Sequence, residues 1–153
     1  MAQAEHGFEL AAVFDTVDPV TGPGFAADHP RITDPAERTA LLDYLRAGPA
    51  VLMTPMLMDD VLEPSRLGRV PMSYRTDGVW IWTDTITYYL EEYGLAPEPG
   101  LLAHLRQRVR AGVGPSADAD ADVLERAVAF ILTPPPEEEA EPVWTLGGSD
   151  ETL

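Results

Sequence analysis

The chain contains no cysteine, no lysine and no asparagine, and all ten of its basic residues are arginine. Without cysteine there can be no disulfide, no thiol nucleophile and no Cys-ligated zinc, and the redox compartment stays open. The missing lysine and asparagine fit the codon bias of a GC-rich genome and carry no mechanistic weight. Long apolar runs are absent too: no stretch approaches the roughly 18 residues of a spanning helix, so no membrane contact is expected. The opening MAQAEHGFEL has neither a basic n-region nor an apolar h-region, so no secretory signal is expected and the chain reads as soluble and cytoplasmic. Positive charge is scarce. Ten arginines face 26 acids, for a formal charge of −16 and a pI near 4.3. Such a surface repels phosphate backbones and anionic lipid, which argues against direct nucleic-acid binding.

What is present is enough to fold. With 153 residues and 45% hydrophobic content, the chain can bury one core without disulfides and is too apolar for an acidic disordered chain. The charge is uneven: residues 118–153 hold ten acids and one arginine, whereas residues 1–117 hold sixteen acids and nine arginines. We therefore expect a single domain over 1–133, followed by a mobile, Pro/Glu-rich acidic tail over 134–153. Val143-Trp144-Thr145-Leu146 interrupts that tail. We read it as a segment that docks on the body, with a short peptide for another protein as the alternative.

Local signals place the elements. Phe8–Phe14 alternates imperfectly and reads as a first strand, ended by the turn-rich stretch Asp18–Gly24. Asp34-Pro35-Ala36-Glu37 is an N-cap, a proline at the first helical position and an early acid; Leu41, Leu42 and Leu45 are the apolar stripe, and Gly48-Pro49 the stop. The apolar run Ala50–Met58 reads as a buried strand and a second short piece, with Pro55 marking an edge, a bulge or the break between them. Three more helices follow, carrying Ile86, Tyr89, Leu90 and Tyr93; then Leu101, Leu102, Leu105 and Val109; then Leu124, Ala127, Val128 and Ile131. Pro134 to Pro136 end the last.

Between the strand and helix regions, residues 70–83 carry the strongest hairpin signal, centred on Asp77-Gly78. A two-residue turn there would pair Thr76 with Val79, Arg75 with Trp80, Tyr74 with Ile81 and Ser73 with Trp82. One face then carries Val70, Met72, Tyr74, Val79 and Ile81; the other sets Ser73 and Arg75 beside Trp80 and Trp82. We favour burial of both faces. The alternative, in which the tryptophan face meets a partner, makes Arg75, Trp80, Trp82 and Ser73 the leading contact residues. Asp59 and Asp60 join them as candidate acidic contacts.

No motif for catalysis or for a cofactor appears. Asp59-Asp60 with Glu63 is too sparse for a metal site and reads as a solvated loop or helix start. Asp118-Ala119-Asp120-Ala121-Asp122 resembles the start of a calcium loop, but Val123 stands at position six and Ala129 at position twelve; capping of the last helix is the better reading. His6, His29 and His104 lack metal-ligand spacing, so no metal, cofactor or catalytic residue is expected. A hydrolase or transferase without a familiar signature would need Asp59, Asp60, Tyr74, Arg75 and His104 to converge in a pocket.

The run Tyr74–Trp82, with Tyr88–Pro97 and Leu101–Leu105 after it, resembles small uncharacterised actinobacterial acidic proteins. In these a TDG-x-WVW-type strand precedes a tyrosine-rich helix ending in glycine, and some are similar in size and acidity to immunity proteins of polymorphic toxin systems. The resemblance spans residues 70–105, assigns no catalytic residue and does not extend to the acidic tail. It implies a binding protein. The combined expectation is an α+β fold, with a small antiparallel or mixed sheet centred on the 70–83 hairpin and about four helices packed on it. In function the chain is expected to be a non-catalytic inhibitor of a basic protein partner such as a toxin. An acidic accessory or regulatory domain, or a nucleic-acid mimic, is the alternative. The oligomeric state is left open.

Overall fold

A computed structural model describes residues 8–133. The acidic tail, with Val143–Leu146, lies outside the described residues. Among the described residues the architecture is α+β: four helices around a mixed four-stranded sheet, with two small two-stranded hairpins. In chain order the elements are β1 (Glu9–Leu10), β2 (Thr16–Asp18), β3 (Gly22–Gly24), α1 (Pro35–Ala47), β4 (Ala50–Leu52), β5 (Leu57–Met58), β6 (Val70–Pro71), β7 (Tyr74–Thr76), β8 (Trp80–Thr83), α2 (Asp84–Tyr93), α3 (Pro99–Ala111), a 3₁₀ turn (Pro115–Asp118) and α4 (Ala121–Leu132). The main sheet runs β1-β8-β7-β4, with β1 parallel to β8 and the other neighbours antiparallel.

The helix ends follow the local signals. Asp34 accepts the Ala36 amide at 3.1 Å ahead of Pro35, and Asp120 accepts the Val123 amide at 3.0 Å to start α4. Replacing Asp34 by alanine is expected to cost about 1 kcal/mol, the usual worth of such a cap, read as a lower urea midpoint with an unchanged slope. On α4 the inward set is Val123, Ala127, Phe130 and Ile131, a stripe shifted slightly from the expected one.

Three strand expectations are corrected. The first strand shrinks to Glu9–Leu10, and the turn-rich stretch after it forms the β2–β3 hairpin. The run Ala50–Met58 is not a buried strand: β4 is a sheet edge, β5 pairs with β6 beyond the Pro55 break, and Met53, Met56 and Leu57 are exposed. The 70–83 hairpin forms, but Thr76 pairs with Ile81, Arg75 with Trp82 and Tyr74 with Thr83. Asp77 causes this shift. Its Oδ1 accepts the amides of Val79 and Trp80 at 3.0 and 2.9 Å, widening the turn to four residues, while Gly78 takes φ +94°. A shift of two residues leaves Arg75, Trp80 and Trp82 on one face and Tyr74 and Ile81 on the other, as expected.

Both faces of that hairpin are covered. Trp80 and Trp82 lie under α1, α2 and α3 among Leu41, Leu45, Ile86, Leu90, Leu101 and Leu105. Ile81 lies on the opposite face with Phe8, under Ala127 of α4. Gly48 makes the first arrangement feasible, since a Cβ there would sit 2.6 Å from Trp82 Cζ2. The indole N–H of Trp82 donates to the Leu45 carbonyl at 3.2 Å, satisfying the buried donor at the end of α1.

Candidate protein-binding surface

The tryptophan face is therefore interior, as the favoured reading has it, and the alternative contact face is not open there. Trp82 is 0% exposed, Trp80 9% and Ser73 4%. Arg75 keeps partial exposure, but its guanidinium is engaged: Nε donates to Asp84 at 2.7 Å and Nη1 to the Gly48 carbonyl at 2.9 Å. Ser73 instead clamps the chain after β4, accepting the Thr54 amide at 2.9 Å and donating to the Thr54 carbonyl.

The apolar surface left open lies elsewhere. Of eleven large hydrophobic side chains exposed among the described residues, five (Met53, Met56, Leu57, Leu62 and Leu67) fall within one fifteen-residue stretch. Next to it, Leu52, Met56, Met58, Met72 and Tyr74 line an apolar groove of about 280 Å³ floored by Thr83 and Thr85. Unbranched methionines suit an adaptable contact surface, and clustered exposed apolar groups mark interaction sites in soluble proteins.

This stretch is held from within by Asp60. Expected as a solvated residue, Asp60 is 1% exposed. Its Oδ1 accepts the amides of Leu62 and Glu63 at 2.8 and 3.0 Å, and its Oδ2 accepts the hydroxyls of Tyr88 and Tyr93 at 2.7 and 2.6 Å. One carboxylate thus ties the 59–69 loop to α2. Burial by itself pushes the Asp60 carboxyl up, but the hydrogen bonds from Tyr93, Tyr88 and the two amides outweigh it and hold the group below its ordinary 3.8. Asp59 remains exposed and closes the base of the loop by accepting the Gly68 amide at 2.9 Å. The Arg66 guanidinium lies 5.8 Å from the centre of the Tyr93 ring and pairs with Glu92 at 2.9 Å.

A second buried carboxylate, Asp77, joins α1 and α3, and Arg108 extends the network to the 3₁₀ turn. Its Oδ2 accepts the Tyr44 hydroxyl at 2.6 Å and lies 2.6 Å from His104 Nε2. Arg108 donates through Nε to the Tyr44 oxygen at 3.1 Å and through Nη1 to Asp118 at 3.1 Å. Asp77 is 0% exposed. Burial again pushes its carboxyl up, while Tyr44, the Trp80 amide, His104 and the Val79 amide bring it below 3.8. Tyr44 is raised well above its ordinary 10, by burial first and then by Asp77. In the sequence Asp77 reads as a turn residue and His104 as a histidine without metal-ligand spacing; no local signal joins positions so far apart.

The five residues named for catalysis do not come together. Tyr74 lines the apolar groove and Arg75 a different one, His104 faces Asp77, Asp60 is interior and Asp59 exterior. Among the described residues no group of three or more histidine or carboxylate side chains is placed to hold a metal, and no helix is long and apolar enough to cross a membrane. Comparison with protein-family models, curated proteins and solved structures finds no match to the chain.

Proposed function

We propose that the chain is a non-catalytic protein-binding module that blocks a basic partner, in the manner of an immunity protein against its toxin. The observation that carries this reading is the clustering of Met53, Met56, Leu57, Leu62 and Leu67 on a segment anchored by Asp60. Preorganisation of this kind lowers the entropy cost of binding. Charge selects the partner's sign. Of the 26 acids, one precedes residue 8 and six follow residue 133, leaving nineteen against ten arginines in the described body. Six of those arginines are already in ion pairs with body carboxylates. The surplus is negative, which steers a basic protein in and repels an acidic one.

Affinity capture from the native host, followed by titration of the purified pair, tests this. The expected result is a stoichiometric basic protein whose affinity weakens as salt rises from about 50 to about 500 mM. The double variant Met56→Glu, Leu67→Glu should keep its thermal midpoint, because both positions are exposed, and lose affinity about tenfold or more. A partner held equally well by that variant, or the absence of any stoichiometric partner, would overturn the reading.

A further inference from the structure

Beyond that surface, a groove of about 270 Å³ runs between the end of α1, β6 and the first turns of α2. Its charge is opposite to that of the molecule. Arg46, Arg69 and Arg75 line it against only Asp84 and Glu91, so three of the ten arginines of an acidic chain meet in one place. Each is held differently. Arg75 is fixed by Asp84 and the Gly48 carbonyl. Arg46 pairs with Glu91 at 2.7 Å, with both side chains 48% exposed, and a surface pair of that kind contributes little and exchanges readily. The Arg69 side chain makes no ion pair or hydrogen bond among the described residues.

A further feature favours an anion here. Thr87, which lines the groove, is 8% exposed, and its hydroxyl is buried without a hydrogen-bond partner among the described residues. A buried hydroxyl left unpaired costs free energy that a ligand oxygen would recover.

We propose that this groove binds the oxyanion of a small phosphate- or carboxylate-bearing molecule. Arg69 and Arg46 supply the charge, Arg46 exchanging Glu91 for the ligand; Arg75 forms the rigid wall and Thr87 offers a hydroxyl. Planar guanidinium groups accept either oxyanion through paired N–H donors. The volume lies just below the usual range for ligand cavities of roughly 300–1,000 Å³, which fits a small anion.

Calorimetric titration of the full chain with inorganic phosphate and, separately, with citrate tests the proposal, with chloride at matched ionic strength as the screening control. Saturable binding of at least one probe is expected, and the stronger arm identifies the class. Arg69→Ala should weaken it about tenfold or more and Thr87→Val several-fold, whereas Arg110→Ala, in the separate groove between α1 and α3, should leave it unchanged. Non-saturating heats with both probes would overturn the proposal, as would equal losses in the Arg69 and Arg110 variants, which would reduce the effect to general electrostatics. Neither result touches the 53–67 surface, so the protein-binding reading is tested independently.

Discussion

Asp77→Ala is expected to destabilise the fold by about 3–5 kcal/mol, the cost of removing one partner from a buried, hydrogen-bonded charged network. The Asp77 carboxylate is fully buried and serves four groups: the Tyr44 hydroxyl, His104 Nε2 and the amides of Val79 and Trp80. Truncation leaves the buried Tyr44 hydroxyl and Trp80 amide without that acceptor where water replaces it poorly. Against a usual domain stability of about 5–15 kcal/mol the loss is large, and urea unfolding should show a much lower midpoint. Two milder variants keep the test readable if the alanine form does not fold. Tyr44→Phe removes one donor and should cost about 1–2 kcal/mol. Asp77→Asn retains an acceptor oxygen while removing the charge. Because the folded carboxyl is held below 3.8, the charged form contributes stability that is complete above that value and is lost as pH falls through the lower, folded pKa. The gap between the native chain and Asp77→Asn should therefore narrow as pH drops below about 4. A gap of constant size through the acid range would show that the carboxylate's charge is not what the network uses.

That network also marks where sequence reasoning stopped. α1 was legible because Asp34-Pro35 and Gly48-Pro49 act on their immediate neighbours, and a local signal needs no knowledge of tertiary structure. The hairpin was legible in place but not in register, since the turn rule counts backbone residues, whereas Asp77 takes two turn amides with its side chain. Trp80 and Trp82 were readable either as core or as a contact face. Gly48 and Gly100 decide the matter by leaving room for the two indoles, yet in the sequence they look only like helix punctuation. The apolar run at 50–58 misled for the opposite reason. Hydrophobicity reports what can be buried, and only the fold determines that α4 covers β4 while Met53, Met56 and Leu57 stay open. Asp59 and Asp60 are adjacent and chemically identical, but one faces solvent and the other anchors a loop. No single-residue property separates them.

Asp60→Ala should separate stability from binding more clearly than any other change. The substitution removes four hydrogen bonds at once, from Leu62, Glu63, Tyr88 and Tyr93, and a cost of about 2–4 kcal/mol is expected. The loss falls unevenly. Tyr88 and Tyr93 are only partly buried and can turn toward water, whereas the loop amides lose the acceptor that fixes their turn. Amides in the 61–68 loop should then exchange hydrogen far faster than those of β8 or α3, because local opening no longer needs global unfolding. Under the proposed function, binding of a basic partner should weaken about tenfold or more, since the apolar residues carried by the loop must be ordered during association. Asp60→Asn, which keeps an acceptor for Leu62 and Glu63, should restore slow exchange in the loop and most of the affinity. If Asp60→Ala lowers the unfolding midpoint but leaves loop exchange and partner affinity as in the native chain, Asp60 is a core residue only, and the 53–67 segment does not owe its competence for binding to that anchor.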